Sequence, residues 1–132
     1  MCGKRNPNGL QLTFELDAAT GITQSEFVSQ MSHQGYDGMV HGGILASLMD
    51  EVMAHSLWQR GIPAVTAKMQ LRYRDPVPVG ERLMIYGRLL QERGKTAQTE
   101  GWLTAADGTR LVEATGTFFK LPQSSPDRGD SL

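Results

Sequence analysis

The chain has 132 residues, 39% of them hydrophobic and 20% charged, which is typical of one soluble globular domain with a single core. Thirteen Lys and Arg residues balance fourteen Asp and Glu residues, so there is no basic field for nucleic acid or for an anionic membrane surface. One cysteine, Cys2, excludes an intrachain disulfide, and no apolar run approaches the roughly 18–20 residues that cross a bilayer. With a polar amino terminus that lacks a signal-peptide pattern, we expect a cytoplasmic protein with no membrane and no nucleic-acid partner.

Two strand patterns open the chain. Apolar residues alternate with polar ones from Leu10 to Leu16, and this period of two predicts a strand. A turn is predicted from Asp17 to Gly21, followed by a shorter strand over about 22–29.

The segment from Gly42 to Trp58 has the composition of a buried helix. Ten of its seventeen residues are apolar, and they spread around most of the helical wheel. The polar remainder falls on one side, where Asp50 and Glu51 stand about 100° apart, so we expect them to point in different directions. Gly61-Ile62-Pro63 ends the helix.

The second half of the chain predicts antiparallel strands. From Val65 to Tyr73 apolar residues alternate with polar ones, which predicts a half-buried strand with a clean polar face that includes Thr66. Prolines 76 and 78 end this strand. Further strands are predicted over about 81–91, 95–105 and 109–121, with hairpin turns at 92–94 and at Asp107-Gly108. In the last strand one face carries Val112, Ala114, Gly116 and Phe118.

One long helix with five or six antiparallel strands predicts an α+β fold in which the sheet wraps around the helix. The exposed edges of such a sheet favour pairing with a second copy. Residues 1–121 are expected to form this single domain. The stretch from Pro122 to Leu132 is almost without apolar residues, and we expect a disordered tail there.

The residues around the start of the helix could carry chemistry. The sequence Tyr36-Asp37-Gly38-Met39-Val40-His41-Gly42-Gly43 leads into it, and glycines at a helix start let backbone N–H groups approach a negatively charged ligand. Asp50 and Glu51 follow eight residues after the two glycines, and a carboxylate in a largely apolar helix is costly unless it is paired or useful. These are the parts needed to stabilise an oxyanion and to supply a base or nucleophile.

Other catalytic and binding motifs are incomplete or absent in this sequence. Gly94-Lys95-Thr96 lacks the earlier glycine of a phosphate-binding loop, since Leu89 stands at that position. No Gly-x-Ser-x-Gly motif is present. The three histidines lack the spacing of a metal site with a cysteine pair, so no metal is expected.

At this point the motifs carry a resemblance. His41-Gly42-Gly43-Ile44, followed by Leu48-Met49-Asp50-Glu51, resembles the signature of the hotdog-fold acyl-CoA thioesterases, in particular the phenylacetate-pathway and 4-hydroxybenzoyl-CoA type. The stretches Val65–Tyr73, Pro76–Glu81 and Ala114–Phe118 also resemble that family, and the match covers roughly residues 34–120.

The resemblance implies a hotdog homodimer, often assembled into a homotetramer, with active sites at the subunit interface. It implies no cofactor, because coenzyme A is part of the substrate. The catalytic acid maps onto Asp50, with Glu51 as the runner-up, and the oxyanion donor maps onto the backbone N–H of Gly42 or Gly43. A serine or threonine that assists from the partner subunit in some members maps near Thr66.

His41 belongs to the same motif and is grouped with the catalytic residues. Several family members carry Asn or Gln six residues before this histidine, where the present chain has Gly35. The neighbouring His33 and Gln34 are therefore the candidates for holding substrate or water. The phosphates of coenzyme A need cations at the pocket mouth, and the candidates are Lys68, Arg72, Arg74 and Arg88.

The leading hypothesis is hydrolysis of an acyl-CoA thioester. One alternative is a hotdog hydratase or dehydratase acting on acyl thioesters, and another is a non-catalytic module that binds acyl-CoA. A histidine before the two glycines with an acid after them favours the thioesterase over the hydratase. The acid within the helix argues against the binding module.

Overall fold

The computed structural model describes residues 12–28 and 38–122, in which one helix lies against a six-stranded antiparallel sheet. The elements are β1 (Glu15–Asp17), β2 (Ile22–Val28), α1 (Gly42–Trp58), β3 (Ala64–Tyr73), β4 (Arg82–Arg93), β5 (Thr96–Thr104) and β6 (Arg110–Lys120). The strand order across the sheet is β1-β2-β4-β5-β6-β3. The predicted α+β class is confirmed, while the predicted tail from residue 123 onward lies outside the described residues.

Strands β4, β5 and β6 form the meander that the alternating pattern predicted. At its second turn the Asp107 carboxylate accepts a hydrogen bond from the Thr109 N–H, and Gly108 has a φ of +92°. Strand β3 crosses over to pair with β6, which makes it a ten-residue edge strand. In the described part of the chain, no helix is long and apolar enough to cross a membrane.

The strand predicted from Leu10 to Leu16 is wrong in its extent. Only Glu15–Asp17 pairs with β2, and residues 10 and 11 lie outside the described ranges. Phe14 instead stacks on His55 of α1, with ring centroids 4.0 Å apart, and its carbonyl accepts a hydrogen bond from Gln59 Nε2. The alternation here reflects contacts with the helix as well as sheet pairing.

Three glycines of the sheet set how closely α1 approaches it. A Cβ built on Gly87 would lie 2.7 Å from the Val52 carbonyl oxygen, and one on Gly101 would lie 3.2 Å from the Met53 side chain. A Cβ on Gly116 would also lie 3.2 Å from Met53. Gly87 and Gly101 are opposite each other on neighbouring strands. The middle of the helix therefore rests on a strip of sheet that carries no side chains.

We expect Gly87→Ala to lower the free energy of unfolding by about 2 kcal/mol, because overpacking in a well-packed core is destabilising. The new methyl group would overlap the Val52 carbonyl, which cannot move unless the helix moves. Gly101→Ala is the matched control and should cost less, because its nearest backbone atom, the Tyr86 carbonyl oxygen, lies at 3.2 Å. Urea unfolding of the three proteins measures the difference. A Gly87→Ala variant as stable as the unmodified protein would show that the helix does not rest on Gly87.

His55 packs between two aromatic rings of the same region. Besides Phe14, the Trp58 ring lies 5.3 Å from the imidazole, centroid to centroid. Burial lowers the pKa of His55, because it disfavours the charged imidazolium. The unfolded chain therefore takes up a proton at a higher pH than the folded chain does. This contribution to stability is complete above the ordinary pKa of about 6.5 and is lost as the pH falls toward the lowered value.

We expect His55→Phe, which keeps an aromatic ring but cannot titrate, to reduce the loss of stability between about pH 7 and pH 5. Thermal unfolding across this pH range compares the variant with the unmodified protein. An identical pH dependence in both proteins would assign the loss to other ionisable groups.

Candidate active site

A pocket of about 200 Å³ opens beside the middle of α1, between the helix and β3. It is lined by Asp50, Glu51, Ala54, Trp58, Ala64, Val65, Thr66 and Phe118. Two carboxylates and one hydroxyl thus lie in otherwise apolar surroundings. The sequence predicted that Asp50 and Glu51 point in different directions, yet both border this pocket.

A hydrogen bond from Thr66 holds the Asp50 carboxylate. Thr66 Oγ1 donates to Asp50 Oδ1 over 2.6 Å, and hydrogen bonds to a charged acceptor are among the stronger ones in proteins. Asp50 Oδ2 makes no hydrogen bond with any described residue, so it can receive water or substrate. Both residues belong to the same chain, whereas the resemblance implied a threonine from the partner subunit.

A β-bulge directs Thr66 toward the helix. In the ladder between β3 and β6, Thr66 is opposite Phe118 and Lys68 is opposite Thr117, so Ala67 is the extra residue. Thr66 therefore faces α1 while Lys68 faces the other side of the sheet, and the predicted clean polar face is wrong at Thr66. Bulges beside functional sites commonly redirect a side chain in this way.

Within residues 12–28 and 38–122, the first turn of α1 leaves one backbone donor without an acceptor. His41 is the N-cap: its Nδ1 accepts a hydrogen bond from the Gly43 N–H over 2.8 Å, and its carbonyl accepts from Ile44 and Leu45. The Gly42 N–H has no acceptor among the described residues. Of the two glycines predicted as oxyanion donors, Gly42 is therefore the one whose N–H remains available.

The turn before β4 anchors the segment that leads into the helix. The Val40 N–H donates to the Val77 carbonyl, and the Val79 N–H donates to the Gly38 carbonyl, both over 2.8 Å. Val77 itself is 1% exposed. Two of the motifs that carried the resemblance, the glycine pair and the proline-valine turn, are thus joined through the residues beside them.

Asp50 and the unused Gly42 N–H lie far apart within one chain. A helix rises 1.5 Å per residue, so eight residues separate them by about 12 Å. Strand β3 contacts both places: Tyr73 Oη donates to the Gly42 carbonyl over 3.3 Å, and Thr66 donates to Asp50. One thioester carbonyl cannot reach both groups of the same chain, because each contact requires about 3 Å.

The cations predicted to hold the phosphates of coenzyme A do not line this pocket. Lys68 and Arg72 project from the side of β3 that faces away from the helix. Arg74 and Arg88 each form an ion pair with a glutamate. Their role in binding coenzyme A stays a prediction. Two further candidates lie outside the described residues: His33 and Gln34.

Sequence reasoning missed the apolar lining of the pocket. Ala54 and Trp58 follow Asp50 at spacings of four and eight residues, and such positions share one face of a helix. This spacing in the sequence could have predicted that Ala54 and Trp58 lie on the same side of the helix as Asp50. Their neighbour Phe118 comes from β6 and could not be placed beside them without the strand order.

Comparison with known proteins identifies related chains. A family model described as the thioesterase superfamily matches residues 37–112, more than half of the chain. Human acyl-coenzyme A thioesterase 13 is 34% identical over 83 residues, which cover 61% of this chain and 59% of that protein. Mouse acyl-coenzyme A thioesterase THEM4 is 29% identical over 105 residues, which cover 79% and 45%. The chain thus spans about half the length of the curated relatives it matches.

Solved structures share the fold. A hypothetical thioesterase of Streptococcus pneumoniae, solved with coenzyme A, superposes with a TM-score of 0.79 over 95% of this chain and 96% of that chain. The two sequences are 23% identical, so the likeness concerns the fold. The hotdog architecture that the resemblance implied is confirmed.

We expect His41→Ala to lower the free energy of unfolding by about 1 kcal/mol, because the Gly43 N–H loses its capping acceptor. His41→Asn is the matched control, since asparagine is a good N-cap and should preserve both stability and thioester hydrolysis. Thermal unfolding and thiol release are measured on both variants. A stable but inactive His41→Asn variant would instead give the imidazole a chemical role.

Proposed function

This chain belongs to the thioesterase superfamily, and we propose that it hydrolyses an acyl-coenzyme A thioester to a carboxylic acid and free coenzyme A. The observation that carries the proposal is the Thr66–Asp50 hydrogen bond in an otherwise apolar pocket, which presents an oriented carboxylate to an apolar acyl group. The human and mouse relatives, named as acyl-coenzyme A thioesterases, support the choice of substrate.

Asp50 acts on the thioester carbonyl as a general base or as a nucleophile. As a base, Oδ2 takes a proton from water while the water oxygen adds to the carbonyl carbon; the C–S bond then breaks and the thiolate takes the proton. As a nucleophile, Oδ2 adds to the carbonyl carbon and the C–S bond breaks, which releases the coenzyme A thiolate. Water then hydrolyses the resulting anhydride to the carboxylic acid and regenerates the Asp50 carboxylate. Both routes place negative charge on the carbonyl oxygen, where one well-placed N–H donor is worth about 3–4 kcal/mol.

The donor in this proposal is the Gly42 N–H of a second copy. Strand β3 is an edge strand whose outer side is unpaired in the described ranges. Antiparallel pairing of two β3 strands about a twofold axis at Gln70 would place Met69 opposite Leu71. Because Ala67 is an extra residue, Tyr73 of one copy would then lie opposite Thr66 of the other. Because Tyr73 contacts Gly42 and Thr66 contacts Asp50, each carboxylate then meets the helix start of the other copy. Further assembly into a tetramer stays a prediction.

We expect Asp50→Asn to lower kcat by about two orders of magnitude or more, because an amide neither accepts the proton nor attacks the carbonyl. Glu51→Gln is the control at the neighbouring position and should retain most of the activity. Thiol release from short, medium, long and aromatic acyl-CoAs measures both. Normal turnover of Asp50→Asn beside an inactive Glu51→Gln would transfer the role to Glu51. If the unmodified protein releases thiol from none of these substrates, the proposed hydrolysis is wrong.

The same assay tests the shared site when Asp50→Asn is mixed with Gly42→Val. Gly42 has no positive φ, and a Cβ there would meet only the Tyr73 hydroxyl at 3.8 Å, so a side chain blocks the amide without straining the backbone. A mixed dimer contains one doubly defective site and one intact site. Random mixing should therefore restore about a quarter of the unmodified activity. A site contained in one chain predicts no rescue.

A further inference from the structure

The apolar part of the Asp50 pocket runs along α1 as a row of three residues. Asp50, Ala54 and Trp58 are spaced by four residues each, so they share one face of the helix, and all three line the pocket. Ala54 leaves the middle of the row open because its side chain is a single methyl group. Phe118, fully buried on β6, forms the opposite wall. An acyl group whose carbonyl lies at Asp50 would extend from there toward Trp58.

Trp58 is the last residue of this row, and its ring packs against the ring of His55. It is the last residue of α1 and is 41% exposed, which is large for a tryptophan in a packed region. Its ring lies 5.3 Å from that of His55, which in turn stacks on Phe14. The indole therefore belongs to a cluster of three rings, in which His55 stacks on Phe14 and the Trp58 ring is tilted against His55.

The volume of the pocket limits what it can hold. A dry cavity of about 150 Å³ accommodates the six carbon atoms of benzene, so by proportion the observed 200 Å³ accommodates about eight carbon atoms. A phenylacetyl group has eight carbon atoms, as does an octanoyl chain. Longer chains would have to displace the Trp58 ring.

The charges around the pocket restrict the acyl group further. Among the described residues that line it there is no Lys, Arg or His, whereas Asp50 and Glu51 both supply carboxylates. A terminal carboxylate on the acyl group would thus meet like charge and no cation. Like charges at such distances in a partly desolvated site are mutually unfavourable.

We propose that Ala54 and Trp58 set the acyl specificity of the site, which takes uncharged linear or phenyl-bearing acyl groups of up to about eight carbon atoms. The small side chain of Ala54 makes the pocket wide enough for the acyl group, and the ring of Trp58 limits the length of the acyl group. This inference rests on the proposed function, because it places the thioester carbonyl at Asp50. It goes beyond that function in naming the class of acyl group and the residues that select it.

Binding of S-alkyl-coenzyme A thioethers, which cannot be hydrolysed, tests the pocket separately from the reaction. Calorimetry on the unmodified protein is expected to show affinity rising about fourfold per methylene up to about eight carbons, then levelling off. Trp58→Ala should extend the rise to longer chains, while the matched control Trp58→Phe should keep the limit near that of the unmodified protein. Ala54→Leu adds three carbon atoms and should lower the limit to about five, with Ala54→Ser as its control.

Thermal unfolding accompanies each titration, so that only folded variants are compared. A limit that stays in place in both folded Trp58→Ala and folded Ala54→Leu overturns the proposal, as does an affinity that does not depend on chain length. If instead the limits move as expected while the unmodified protein releases no thiol from any acyl-CoA, the pocket assignment stands and the hydrolysis is wrong.

Hydrolysis rates test separately whether the pocket rejects acyl groups that carry a terminal carboxylate. Glutaryl-CoA and valeryl-CoA carry five-carbon acyl groups that differ by a terminal carboxylate. We expect kcat/KM to be about a hundredfold lower for glutaryl-CoA, because the pocket offers its carboxylate only like charge. Equal values for the two substrates would overturn this part of the inference.

Discussion

The close packing of α1 on three sheet glycines determines where the carboxylate of the site lies. At Gly87 the sheet comes so near the Val52 carbonyl that not even a methyl group fits between them. Asp50 stands two residues before Val52 on the same helix, so its position is fixed by this contact. A helix raised by a fraction of the 2.6 Å hydrogen-bond length would separate Asp50 from Thr66. The position of the Asp50 carboxylate at the sheet edge thus depends on glycines that lie under the helix.

Strand β3 connects the two halves of the site. Near its beginning Thr66 holds the Asp50 carboxylate, and at its end Tyr73 contacts the carbonyl of Gly42. The same strand therefore contacts both the Asp50 carboxylate and the helix start at Gly42, although these lie about 12 Å apart along the helix. Pairing of β3 with β3 of a second copy would fix the position of each Asp50 carboxylate relative to the Gly42 N–H of the other copy. The reason is that strands in a ladder pair only in discrete registers.

The electrostatic character of the two ends differs as the proposed reaction requires. The helix start carries the positive end of the helix dipole, and His41 satisfies the Gly43 amide, while the Gly42 amide has no acceptor among the described residues. The pocket around Asp50 contains carboxylates and apolar side chains but, within its described lining, no cation. In the proposed reaction, negative charge developing on a carbonyl oxygen would be stabilised at the helix start and repelled beside Asp50. The two ends are thus suited to different parts of one thioester.

The sequence by itself determined the elements whose cause is local. The helix from Gly42 to Trp58 follows from its apolar composition and its flanking glycines and proline, and the hairpin at Asp107-Gly108 follows from turn chemistry. Only the tertiary structure decided which side of β3 carries Thr66, because the bulge at Ala67 depends on the register with β6. It likewise revealed the role of Gly87, which consists of a contact with a helix distant in sequence. Sequence periodicity depends on residues that are near one another along the chain. The orientation of Thr66 and the contact of Gly87 with the helix depend instead on residues that are distant in sequence.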